Sequence, residues 1–199
     1  DVDAGRVWFA ALGDAAARVN ASVQLCMLLP NAALQSTRMR AVTNARASRD
    51  ATRDPAQQTW KLGVSALLLA SLGLSASADN VFTSRAEPGC SASDPSLCAE
   101  PSPELATTLA VLARGPYGPG DGVGHLNRSL IMRACRADGV LLKVDRPATV
   151  ADAALLDAFD AAAGGRPAER DVYATTAGGA LACGAWLYGY AHDLAAPFT

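Results

Sequence analysis

Histidine is nearly absent from this 199-residue chain: only His125 and His192 occur, and no two of the five cysteines stand in CxxC spacing. That scarcity argues against a zinc or other metal centre, which needs clustered His, Cys or carboxylate ligands. Charge of one sign is lacking too. Seventeen Lys and Arg against nineteen Asp and Glu leave a net charge of −2, with the cations spread along the chain. Nothing here offers the basic stripe that neutralises a phosphate backbone, so nucleic acid is not an expected partner. The longest apolar run, Leu62 to Leu74, is broken by Gly63, Ser65, Ser71 and Gly73, and falls short of the ~20 residues of a membrane span. The glycine-rich loop Gly115–Gly124 lacks GxGxxG spacing and a following Lys-Ser/Thr. It reads as a structural turn presenting Asp121 rather than a phosphate cradle. No cofactor is implied. An initiator Met and a signal peptide are also missing, and both ends read as cuts in a longer chain.

What is present is ordinary globular composition, 50% hydrophobic and 18% charged, enough for a substantial core. Cys90 and Cys98 bracket a loop rich in Ser, Pro and Asp, which suits a local disulfide in a secreted protein. Cys26, Cys135 and Cys183 lie in apolar surroundings and read as buried thiols. Sequons at Asn20 and Asn127 permit N-glycosylation. Together these favour a secreted or lumenal protein, with a cytoplasmic one as the alternative.

Helical and strand-like segments alternate along the chain. Arg6–Val19 has amphipathic helical spacing, and Ser22–Leu29 is a short apolar run closed by Pro30, as in a strand buried on both faces. One or two helical turns over Ala32–Met39 precede a strand at Ala41–Ala45. The next helix is expected from Pro55 to Leu72, with Asp54 as N-cap and Gly73 as C-cap. A short extended piece at Asn80–Thr83 and a helix over Ser102–Ala113, opened by Pro103 and Glu104, follow. Later come a helix at Leu126–Cys135, a turn at Ala137-Asp138-Gly139, a strand at Val140–Val144, a helix at Asp152–Ala162, and strands at Val172–Thr176 and Leu181–Tyr190. In the last of these, Trp186, Tyr188 and Tyr190 alternate as one packing face should. Strict alternation argues for a parallel sheet with crossover helices. The expected fold is α/β: about four units (strands 5–8) of a (β/α)8 barrel over residues 1–165, then the start of a β domain over 166–199. Half a barrel leaves open sheet edges, so a further half is expected from the same or another chain.

Within the alternation, Val42–Asp50 stands out. An apolar, β-prone run ends there in Arg46 and Asp50, followed by the Pro-broken Ala51–Pro55. An acid where a buried strand runs into a loop can serve chemistry at a barrel mouth. The alternative is a surface salt bridge.

Several motifs recur in order: Cys26-Met27, Leu34, Ala41-Val42, Arg46-Ala47-Ser48-x-Asp50, Arg53-Asp54-Pro55 and Leu72-Gly73. Asp79-x-x-Phe82-x-Ser84, Gly115-Pro116 with Asp121 and Gly124, and Asp138-Gly139-Val140-Leu141-Leu142 continue the series. In order and spacing this chain resembles raffinose synthases and alkaline α-galactosidases of the α-galactosidase clan of glycoside hydrolases. The likeness runs from about Gly5 to Thr149, and the tail resembles the start of the clan's C-terminal β-sandwich.

The resemblance implies a (β/α)8 barrel and retaining hydrolysis or transfer by two carboxylates about 5–5.5 Å apart. It implies Asp50 as acid/base, Arg46 as a substrate-binding residue, and Asp79 and Asp121 as sugar contacts at the ends of the next two strands. Two departures stand against activity. Arg49 replaces the family's Asp before Asp50 and would favour its ionised form, and Ala51 replaces an aromatic. The nucleophile strand of the family lies upstream of Gly5, and Asp1 and Asp3 fall in the loop after it. Lys143-Val144-Asp145 imitates that strand but comes after the acid/base, so it reads as core strand plus surface Asp. Two functions follow: a carbohydrate-active enzyme, or a secreted glycoprotein that keeps the barrel as a structural or carbohydrate-binding scaffold.

Overall fold

Three short parallel strands lie side by side in chain order in the computed structural model, which describes residues 2–26, 29–48, 62–86, 100–152, 156, 171–178 and 186–192. They are β1 (Val23–Leu25), β2 (Val42–Arg46) and β3 (Ser75–Ser77). Leu25 pairs with Ala45, Ala45 with Ala76, and Arg46 with Ser77. A fourth stretch continues the order, with parallel bridges from Ala76 to Arg114 and from Val81 to Pro119. Helices α1 (Val2–Arg18), α2 (Pro30–Ser36), α3 (Leu62–Ser71) and α4 (Pro103–Leu112) precede the four in turn.

Local chemistry explains where the helices stop. After α1, Ala21 N–H donates to Ala16 O at 2.9 Å and Asn20 N–H to Ala17 O at 3.2 Å. After α3, Leu74 N–H donates to Leu69 O at 2.9 Å and Gly73 N–H to Ala70 O at 3.0 Å. Both are Schellman closures, which need a left-handed residue. Asn20 (φ 52°) and Gly73 (φ 76°) supply it. The second closure brings Leu74 onto Leu69, both buried, and each buried leucine contributes about 1.5–3 kcal/mol. At the end of α4 the left-handed position holds Arg114 (φ 69°), a conformation that favours glycine. Pro103 takes the first turn of α4, where its missing N–H leaves no bond unmade.

The two faces of the parallel sheet differ. On one, Ala45 and Ala76 meet Leu25, Leu74 and the α3 residues Ala66 and Leu69 in an apolar core, joined by Val42, which lies before a register irregularity in the β1–β2 pairing. The other carries Asn44, Arg46, Ser75 and Ser77, because partners across parallel strands share a face and alternate residues return to it. The fourth stretch comes close to β3: a Cβ on Gly115 would collide with Ala76 O. Only glycine fits there.

A second, antiparallel sheet is built from β4 (Thr149–Val150), β5 (Asp171–Ala177) and β6 (Trp186–His192). Its first strand lies upstream of residue 166. Tyr173 and Thr175 on β5 are fully buried. Leu112, Val144 and Ala148, with Ala177 against them, form a small core at the seam. Ala148 N–H donates to Leu112 O at 2.8 Å, joining the end of α4 to the strand region. Asp145 belongs to this seam, its Oδ2 accepting from Gly178 N–H at 2.7 Å. Among the described residues both sheets are small and open.

Several expectations are corrected. Among the described residues of Ser22–Leu29 the strand is Val23–Leu25, and it is not buried on both faces, since Gln24 is exposed; Pro30 opens α2 behind it. The third strand lies at Ser75–Ser77, before the extended piece expected at Asn80–Thr83. Only α5 (Arg128–Ile131) of the helix at Leu126–Cys135 is helical. Val140–Val144 is no sheet strand. Cys135 bridges Leu141 around a turn at Gly139 (φ 85°), and Val140 and Leu142 are exposed. On α1 only Gly13 and Ala16 are buried, whereas Val7 and Trp8 are about two-thirds exposed, at 66% and 67%. Tyr188 is likewise exposed rather than packed. Cys26 is an exposed free thiol, because it sits just past the end of β1, and Cys135 is a partly buried free thiol.

Candidate functional site

Two charged residues meet where the polar face of the parallel sheet runs out. Arg46 ends β2, and Asp79 lies two residues beyond β3. Arg46 Nη1 donates to Asp79 Oδ2 at 3.0 Å, with the arginine side chain 7% exposed and the aspartate 27%. Asp79 N–H donates to Ser48 Oγ at 2.8 Å, fastening the two strand ends together. The result is a guanidinium held nearly dry beside a carboxylate that still reaches water. Such a pair offers donors and acceptors within one small area, which suits hydroxyl-rich neutral ligands.

Asp121 does something else. Its carboxylate accepts from Thr83 N–H (2.9 and 3.1 Å), Thr83 Oγ1 (2.8 Å), Ser84 N–H (2.9 Å) and Ser84 Oγ (2.6 Å). Thr83 Oγ1 in turn accepts from Asn127 N–H at 2.9 Å. A carboxylate has about four lone-pair sites, and four donors fill them. Partial burial pushes the Asp121 carboxyl up, but the bonds from Ser84 and Thr83 together outweigh it and hold the group below its ordinary value. Asp121 therefore locks the loop after β3 to the glycine loop instead of presenting a free acceptor. Tyr117, on the same glycine loop, bonds Thr107 of α4 at 3.2 Å. Burial raises its hydroxyl above the ordinary phenol value, against the opposing effect of that bond.

No family model, curated protein or solved structure matches this chain. The likeness to the α-galactosidase clan rests on the motifs quoted above. Of the residues it implies, the structure brings Arg46 and Asp79 together and sets Asp121 apart as a loop lock. Asp50 lies outside the described residues, as do Arg49, Cys90, Cys98 and Cys183. Both sequon asparagines are exposed. Asn20 is the left-handed residue closing α1, and Asn127 caps α5, its Oδ1 accepting from Leu130 N–H at 3.2 Å and Ser129 Oγ at 2.9 Å. Among the described residues no group of three His, Cys, Asp or Glu gathers as a metal site would require, and no helix is long and apolar enough to cross a membrane.

Sequence reasoning did not single out Ser48, Asn44, Ser77, Thr83 or Ser84 as site residues. Asn44 had a signal, since it stands two residues before Arg46 on a strand and so shares its face. The partners of Asp121 had none, being 37 and 38 residues away in the chain.

Proposed function

We propose that this chain is part of a sugar-processing (β/α)8 barrel acting on α-galactosides or related sugars, the remainder of the cylinder coming from the same or another chain. The observation that carries this reading is the Arg46–Asp79 pair at the carboxyl ends of neighbouring parallel strands. Barrel enzymes place their chemistry at that end of the strands. The order of the strands supports it, because β1, β2, β3 and the Arg114 stretch neighbour one another in chain sequence. So does a sheet with apolar residues toward a helix on one face and polar residues on the other. A doubly wound sheet reverses its strand order and is covered by helices on both faces.

In this reading Arg46 donates to a sugar hydroxyl and Asp79 accepts from one. Asp50 protonates the leaving oxygen, then deprotonates the incoming water or sugar, while a carboxylate from another barrel strand attacks the anomeric carbon. Asp121 shapes the rim by locking its loops. The exposed sequons at Asn20 and Asn127 support a secreted or lumenal glycoprotein. A second reading, a scaffold that binds sugar without turning it over, is favoured by Arg49 beside Asp50 and by the filled lone pairs of Asp121. Hydrolysis of an aryl α-galactoside by the intact protein separates the two. The enzyme reading expects turnover that falls about 100-fold or more in Asp50→Asn. Turnover unaffected by that change removes the acid/base role, and binding without turnover leaves the scaffold.

A further inference from the structure

Two buried polar atoms on the face below Arg46 have no hydrogen-bond partner among the described residues: Asn44 Oδ1 and Ser77 Oγ. Asn44 is 7% exposed and Ser77 is 1%. Ser77 is the register partner of Arg46, and Asn44 stands two residues earlier on the same strand. From strand spacing and rise, their Cα atoms are about 8 Å apart on the diagonal. Two side chains at that spacing on one face are close enough to converge on a single small group. A buried polar atom left unpaired is disfavoured by about 1–3 kcal/mol, so native proteins rarely keep one without a guest.

We propose that Asn44 and Ser77 form the floor of the Arg46–Asp79 site and take one hydroxyl of a neutral polyol. This deepens the sugar reading above and rests on it. The chemistry favours a hydroxyl over an anion. Asn44 Nδ2 already donates to Thr43 Oγ1 at 3.1 Å, so the side chain presents an acceptor, which a phosphate or carboxylate cannot satisfy. Ser77 Oγ both donates and accepts. A hydroxyl is the one common ligand group that donates to the first while bonding the second in either sense. The charges nearby already balance, since the guanidinium of Arg46 faces the carboxylate of Asp79. The floor thus selects one hydroxyl position of the ring, while the Arg46–Asp79 rim supplies general affinity.

The test is calorimetric titration of the full-length protein with methyl α-D-galactoside and its monodeoxy derivatives. One derivative is expected to bind wild type about tenfold more weakly than the parent sugar. In Ser77→Ala the parent weakens by a similar factor, and the gap between parent and that derivative closes to within twofold. Asn44→Ala gives the same pattern and serves if Ser77→Ala does not fold. Parent binding with every deoxy ratio unchanged in the variants overturns the floor assignment alone, and means that a buried water fills it. Absence of any binding of the parent sugar to wild type overturns the sugar reading and this inference with it.

Discussion

Replacing Asp121 by Asn keeps the size of the side chain and removes half of its capacity to accept. The amide retains one carbonyl oxygen and turns an NH2 toward the remaining donors. Two of the four donors from Thr83 and Ser84 then lose their partner. Ser84 is partly exposed and can turn to water, whereas Thr83 is fully buried. An unsatisfied buried donor is disfavoured by about 1–3 kcal/mol, so Asp121→Asn is expected to destabilise the protein by about 2–3 kcal/mol near neutral pH. The sign with pH follows from the direction of the shift. The native carboxyl is held below its unfolded value, so its contribution is fully present above about pH 4 and is lost as pH falls through the native value. Urea unfolding of wild type and variant at pH 7, 5 and 3 should show a gap that holds from 7 to 5 and shrinks at 3. Hydrogen exchange at the amides of Thr83, Ser84 and Asn127 should quicken in the variant. A gap below about 0.5 kcal/mol at pH 7, or one indifferent to acid, would refute the lock.

Three further outcomes follow from the geometry. Gly115→Ala drives a Cβ into the carbonyl oxygen of Ala76, a backbone atom that cannot swing aside. It should lower stability by about 3 kcal/mol or more, roughly 6–12 °C in Tm, and a drop under 2 °C contradicts the close approach. Arg114→Gly relieves a left-handed arginine and should raise Tm by about 2–4 °C, whereas a lower Tm shows that the arginine side chain contributes more than its backbone strain. Asp79→Ala should destabilise by about 2 kcal/mol, less than a fully buried pair because the carboxylate is 27% exposed. In a double-mutant cycle with Arg46→Met, a coupling below about 0.5 kcal/mol would show that the two do not act as a pair.

How much of this was legible depends on whether the information is local. Gly73 closes its helix and Pro103 with Glu104 opens another, because capping is decided within a few residues. Parallel β1 and β2 follow from the alternation of apolar runs with helical stretches. Asp79 was named only through the resemblance to the α-galactosidase clan, whereas Arg46 was nameable as a strand end. The third strand was not. Ser75-Ala76-Ser77 holds no β-branched or aromatic residue, and its extended form comes from pairing with β2 and from the close passage of Gly115. Small residues are what that crowding admits, so the feature that makes the strand possible also hides it. The Asp121 lock is invisible for a different reason, since it joins segments far apart in sequence. Asp121 was noticed for its place in a glycine loop and read as a sugar contact. Only geometry shows its lone pairs already filled.

The polar face of the parallel sheet is the hardest feature to explain as structure alone. Apolar side chains of matching volume would remove two buried, partnerless atoms and fill the same space, and such replacements are commonly neutral or stabilising. β3 already shows that this backbone tolerates small apolar residues, with Ala76 fully buried on its helix side. Asn44 and Ser77 therefore disfavour the folded state where alanine would not. Groups of that kind persist where a ligand supplies the missing bonds, and stability and use then pull in opposite directions. Arg46 follows the same logic one step higher. A guanidinium 7% exposed is held by Asp79, yet a charge taken so far out of water is seldom the most stable occupant of a sheet face. Three disfavoured groups on one face, converging toward the carboxyl ends of their strands, form a gradient from buried floor to wet rim that a packed core has no reason to build.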